Sequence, residues 1–149
     1  MWYFLDTSAL VKRYRPEVGS EMVQRLFTEQ GAMLMVSAVT LAETYAALYR
    51  HHRRGRLSQA ELTDALDGVT ADVERGDLSV LDVTSPHVAR SRNLIAQHDL
   101  TSHDALILAA AIDLRPFEII FVCADVRSGL LRAAEACGLS TLNPLSPKT

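Results

Sequence analysis

Short apolar runs, each giving way to a helical pattern, constrain this chain most. Trp2–Leu5 and Met33–Ser37 are apolar almost throughout, and Glu118–Cys123 follows suit. A strand with one wet face alternates polar and apolar residues. A continuous apolar run of strand length is instead buried on both faces, the habit of parallel sheets. The segments between the runs have helical spacing, and strand–helix alternation implies right-handed crossovers and a mostly parallel sheet covered on both sides. The predicted fold class is α/β.

Helix punctuation supports this division. A short helix, Ala9–Tyr14, ends before Pro16, with Ser8 or Thr7 as its expected cap. Ser20 opens a helix with Met22, Val23, Leu26 and Phe27 on one face, stopped by Gly31. Thr40-Leu41-Ala42-Glu43 reads as a capping pattern opening a helix to about Arg54, with Leu41, Tyr45 and Leu48 inward. Ser58-Gln59-Ala60-Glu61 is a second capping box, followed by Leu62, Leu66, Val69 and Val73 at helical spacing. Leu78–Val83 alternates like a strand. Ser85-Pro86 starts a helix with Val88, Leu94 and Ile95 as its expected inner face. Ala105–Leu114, opened by Thr101-Ser102-His103-Asp104, is apolar almost all round and so should be central. A last helix, Gly129–Cys137, precedes an expected edge strand at Leu139–Leu142 and a loose tail from Asn143 to Thr149. No repeat, low-complexity stretch or linker interrupts the 149 residues, which fit one domain, 1–149.

Four acids fall at the joints of this pattern. Asp6 and Asp125 follow buried strands; Glu43 and Asp104 begin helices. In a parallel sheet such joints gather along one edge, where ligands bind. Each acid alone has a plainer reading as a helix cap or a partner of a helix dipole. Together, four convergent carboxylates repel one another and raise at least one pKa, a cost that a divalent cation offsets. An all-oxygen set suits Mg²⁺ or Mn²⁺, and such ions support phosphodiester hydrolysis. Net charge is −3; setting aside these four of the 18 acids leaves 14 against 15 basic residues. The negative excess thus lies within the candidate site. The whole chain is not the basic protein that usually announces a nucleic-acid binder.

The segments Leu5-Asp6-Thr7-Ser8-Ala9-Leu10-Val11-Lys12, Val39-Thr40-Leu41-Ala42-Glu43, His103-Asp104-Ala105-Leu106-Ile107-Leu108-Ala109-Ala110-Ala111 and Phe121-Val122-Cys123-Ala124-Asp125 resemble the PIN domain. They look most like its VapC branch, the toxin ribonucleases of bacterial toxin–antitoxin pairs. The resemblance spans nearly the whole chain in the family's order. It implies a three-layer α/β/α domain and a Mg²⁺- or Mn²⁺-dependent endoribonuclease. It also implies that Asp6 and Asp104 are the principal metal ligands, that Asp125 completes the acidic pocket, and that Glu43 ligates metal or orients water. Ser8 matches a position that hydrogen-bonds within the site. An RNA substrate, a small antitoxin partner and a homodimer come with the resemblance. Ile107 departs from relatives that often carry histidine there.

Other features carry less. His51-His52-Arg53-Arg54-Gly55-Arg56 is the one basic run, either a cationic helix end or a phosphate contact. Arg127 is a candidate phosphate contact. His103 is a weak candidate for the site; His87 and His98 are scattered. Cys123 and Cys137 match no metal spacing and read as buried free thiols. No apolar run is long enough for a membrane span and no leader is evident, so a cytoplasmic protein is expected. A haloacid-dehalogenase phosphatase would need an acid where Ser8 stands. A receiver domain would need an early acid pair and a mid-chain phosphate acceptor. The remaining alternative is a catalytically silent PIN-like RNA-binding or scaffold module.

Overall fold

A computed structural model describes residues 1–146. Five parallel strands form one sheet: β1 Trp2–Leu5, β2 Met33–Ser37, β3 Ser79–Leu81, β4 Ile120–Val122 and β5 Ser140–Leu142. Their order is β3-β2-β1-β4-β5. The chain steps outward from β1 to one edge, then returns to the other side of β1. Its direction therefore reverses between β1 and β4, and the crevice beyond the strand ends at such a reversal is where open α/β sheets bind ligands.

Among the described residues seven α-helices flank the sheet, α1 Thr7–Tyr14, α2 Ser20–Thr28, α3 Ala38–Arg53, α4 Gln59–Glu74, α5 Ser85–His98, α6 Ser102–Asp113 and α7 Leu130–Ala136, with one 3-10 turn at Arg115–Phe117. Strand parity sorts the layers. Phe4, Met35, Phe121 and Cys123 face the helices α5, α6 and α7 in one core cluster. Tyr3, Leu5, Leu34, Val36 and Val122 face α1 and α2 in another. A third cluster joins Val11 of α1 to Ala47 and Leu48 of α3 and to Leu62, Ala65 and Val69 of α4. The expected three-layer α/β/α architecture is present, with α6 as its buried central helix.

Several expectations needed correction. The third helix begins at Ala38, capped by Ser37, whose hydroxyl accepts from the Thr40 amide. Ser37 already offers the capping oxygen at the strand's end, so the helix starts two residues early. Glu43 therefore sits in the second turn and caps nothing. Neither Thr7 nor Ser8 caps α1; Asp6 does. On α5, Val88 and Ile95 face solvent, and His87, Ser91 and Leu94 are buried instead. His87 Nδ1 accepts from the Thr84 amide and Nε2 meets Asp113. Those polar bonds fix the rotation of α5 against the apolar count. The strand foreseen at Leu78–Val83 pairs only over Ser79–Leu81, as the sheet's edge. Of the tail, Asn143–Ser146 closes a turn through the Ser146 amide and Asn143 carbonyl; Pro147–Thr149 lie outside the described residues.

Candidate active site

Asp6 stands immediately beyond β1, and its amide still donates to the Val122 carbonyl of β4 at 3.0 Å. The residue is only 4% exposed. Oδ1 accepts from the Ala9 amide at 3.0 Å and from Ser8 Oγ at 2.8 Å. Oδ2 accepts from Cys123 Sγ at 3.3 Å. Burial nevertheless dominates: the Asp6 carboxyl is pushed up to about 6, against the lowering effect of those donors, and Asp104 raises it further. A helix cap open to water would show the opposite shift.

The other acids connect to it through Asp104. Asp104, in the first turn of α6, is half-buried; burial and the charge of Asp125 raise its pKa, while Thr101 and His103 lower it. Glu43 is raised by burial and by Asp104, and lowered by His103 and Arg50. Its Oε1 is buried without a hydrogen-bond partner. Asp125 Oδ1 accepts from the Arg127 and Ser128 amides, which closes the loop after β4 and fixes one oxygen. The four acids thus form a chain of electrostatic neighbours, Asp6–Asp104–Asp125 and Asp104–Glu43, at the sheet's reversal point. Among the described residues, no three acids, histidines or cysteines come together as a preformed metal cage.

Ser8 Oγ bridges the two strand ends: it donates to Asp6 and accepts from the Ala124 amide at 2.9 Å. The Arg127 side chain is exposed and belongs to no ion pair among the described residues. His103 is exposed, yet acts electrostatically on both Glu43 and Asp104. Ile107 is buried in the core rather than at the site. Cys123 is the residue that sequence reasoning passed over. It is fully buried, and its thiol touches Asp6, Ser8 and the Asp125 carbonyl. The available signal was parity: Cys123 and Asp125 share a face at the end of β4. Burial and the neighbouring Asp6 carboxylate hold the thiol's pKa far above its usual value, so it serves as a protonated donor. Cys123→Ala removes that donor and should cost about 1–3 kcal/mol, while Cys123→Ser should keep most of the stability. Equal stability of the alanine variant and wild type in urea would refute the contact's worth.

This topology belongs to a recognised class. A PIN domain profile matches residues 3–115, three quarters of the chain, and the protein belongs to that family. No curated protein sequence matches it significantly. Solved structures share its fold at low identity. VapC20 of Mycobacterium tuberculosis, a toxin that cleaves the sarcin–ricin loop, superposes with a TM-score of 0.67 at 18% identity, over 98% of this chain and 99% of that one. VapBC-1 from nontypeable Haemophilus influenzae gives 0.62 at 18%, over 98% and 100%. VapBC2 of Rickettsia felis, solved on a DNA fragment from its promoter, gives 0.62 at 16%, over 96% and 98%. No helix among the described residues is long and apolar enough to cross a membrane.

Proposed function

We propose that this protein is a divalent-metal-dependent endoribonuclease and the toxin half of a VapBC-type pair. The observation that supports this reading is the electrostatic chain linking Asp6, Asp104, Asp125 and Glu43 near the reversal point of a PIN-fold sheet, with Asp6, Asp104 and Glu43 all raised in pKa, mainly by burial. Such a group of hard oxygen donors is incomplete without positive charge. The buried, unpartnered Glu43 Oε1 is the kind of atom a bound ion or water satisfies. The residues therefore fit Mg²⁺ or Mn²⁺, with Asp6 and Asp104 as the main ligands and Asp125 and Glu43 completing the pocket.

A cation held there supplies charge neutralisation at a phosphate and Lewis-acid activation of water. The chain's own groups do the rest. Glu43, raised in pKa and half-buried, orients the attacking water and takes its proton. Ser8 and Cys123 brace the Asp6 carboxylate, and the loop after β4 holds Asp125 toward Asp104. Arg127 is the candidate for a phosphate oxygen. The fold's presence in VapBC complexes supports a small antitoxin as partner, and a second copy of this chain completes the proposed assembly in the cytoplasm.

Purified protein incubated with total RNA should cut it with Mn²⁺ or Mg²⁺ and stop cutting when EDTA removes the ion. Cleavage unaffected by EDTA would sink the metal assignment. Absence of cleavage by wild type under both ions, with RNA still bound, would favour the silent RNA-binding reading.

A further inference from the structure

The chain's net charge is −3, and the candidate centre concentrates carboxylates. A polyanionic substrate must be drawn in by something outside that centre. The described structure contains one dense source of positive charge beside it. From Thr44 to Ala60 there is no acid, while Arg50, His51, His52, Arg53, Arg54 and Arg56 occupy the end of α3 and the turn after it. Arg50, Arg53, Arg54 and Arg56 are all exposed and belong to no ion pair among the described residues. Lys12, Arg13, Arg15, Arg25, Arg75 and Arg90 are each paired with a carboxylate, and the other exposed arginines in no ion pair, Arg92, Arg115, Arg127 and Arg132, are spread along the chain rather than clustered.

A helix dipole accounts for one or two cations in a last turn. It does not explain four arginines, one of them beyond the helix. Two further observations place the patch. Arg50 lies seven residues after Glu43 on α3, so the two share a stripe of that helix about 10 Å apart along its axis. Arg54 continues the stripe at eleven residues. At the patch's far end, burial and then Arg15 and Arg56 lower the pKa of His51, with Glu17 opposing and Arg50 adding to the effect. Arg50 and Arg56 therefore act on a common neighbour, with Arg53 and Arg54 between them in the chain. They form a track from the acidic centre down α3, about 15–20 Å long. A single strand rising about 3.4 Å per nucleotide covers that length in about five.

We infer that Arg50, Arg53, Arg54 and Arg56 form the RNA-docking surface, gripping backbone phosphates several nucleotides from the scissile bond. The inference rests on the ribonuclease reading. It divides labour: the acids perform chemistry, and α3 supplies affinity without reading sequence. An acidic protein segment is a different occupant. The even run of exposed guanidinium groups, leading from the centre itself, favours the nucleic acid.

The test compares the full chain with Arg53→Gln/Arg54→Gln/Arg56→Gln and with the corresponding triple lysine variant. A fluorescein-labelled 20-nucleotide oligouridylate reports binding by anisotropy between 50 and 200 mM salt, and total RNA with Mn²⁺ reports cleavage. The glutamine variant should bind about tenfold more weakly near 50 mM salt, with a salt slope shallower by about two, the loss of three phosphate contacts on a single strand. KM should rise while kcat stays within about twofold. Lysine, keeping the point charges, should restore most of the binding. Unchanged affinity and slope in the glutamine variant would overturn the docking surface, as would a lysine variant no better than glutamine. Weakened binding of an oligoglutamate peptide with RNA binding intact would reassign the patch to a protein partner. If wild type binds oligouridylate with the predicted slope yet cuts no RNA, the ribonuclease reading fails and the surface stands.

Discussion

Asp6→Asn should abolish RNA cleavage and at the same time stabilise the metal-free protein. The activity arm follows from removing a proposed principal metal ligand, the most deeply buried of the four acids; a loss of at least about 100-fold is expected. The stability arm follows from burial. Asp6 is 4% exposed and its carboxyl pKa is pushed up to about 6, mainly by desolvation. Lifting it from the usual aspartate value near 4 costs the ionised form about 3 kcal/mol. The folded state therefore holds a proton that the unfolded chain has released. Stability falls as pH rises between about 4 and 6, and stays lower above that window. At pH 7.5 asparagine relieves this cost. Its side-chain oxygen still accepts from the Ala9 amide and Ser8, and its amide faces the Cys123 sulfur. The variant should melt up to about 10 °C above wild type in EDTA. Adding Mn²⁺ should raise the melting temperature of wild type and not of the variant. A variant that melts below wild type at pH 7.5 yet above it at pH 4 would reverse the sign of the argument; retained cleavage would remove Asp6 from the centre.

Much of this site was legible because its chemistry sits where strands end. Asp6 and Asp125 announce themselves as polar residues terminating apolar runs, and Asp104 as an acid opening an apolar helix. What the sequence could not show was the order of the strands. That β4 lies beside β1 is a fact of pairing between residues more than a hundred positions apart, such as Phe4 with Phe121. Only that pairing brings Cys123 to Asp6 and lets Ser8 join the two strand ends. The local reason for singling out Glu43 was mistaken. The Thr40 pattern matched a capping box, while Ser37, one turn earlier, had the prior claim on the Thr40 amide. Losing the capping role leaves Glu43 with no local task, which strengthens its assignment to the site. The inward face of α5 was misread because apolar counting favours Val88 and Ile95. The bonds of His87 to Thr84 and Asp113 turn that face elsewhere.

Asp72→Ala should be the most destabilising single change outside the apolar core. Asp72, on α4, is 2% exposed. It accepts from Arg13 Nε at 3.1 Å and Nη2 at 3.3 Å, from Tyr14 Oη at 3.0 Å, and from Arg75 Nη2 at 2.6 Å. Arg13 also reaches Gln24 and lies over the Phe27 ring, so its guanidinium is pinned in place and cannot swing to water. Alanine would strand that cation and the Tyr14 hydroxyl in a partly buried setting. Removing one partner of a buried pair costs about 3–5 kcal/mol, a large part of the roughly 5–15 kcal/mol that holds a domain together. Arg75 is 56% exposed on its side chain, so Arg75→Ala should cost less than about 1 kcal/mol. Asp72→Asn, keeping one acceptor oxygen, should fall between the two. The consequence reaches the candidate site because α1 is held at both ends: Asp6 caps its first turn, and Asp72 grips Arg13 and Tyr14 in its last. Loosening the far end gives α1 freedom to tilt, and with it the Ser8 bridge that aligns Asp6 with β4. Urea denaturation should rank the variants Ala, Asn, then Arg75→Ala from least to most stable. Residual folded Asp72→Ala should also show a weaker Mn²⁺-induced rise in melting temperature. An alanine variant within about 1 kcal/mol of wild type would show that water reaches Arg13 after all, and that the clamp on α1 is not electrostatic.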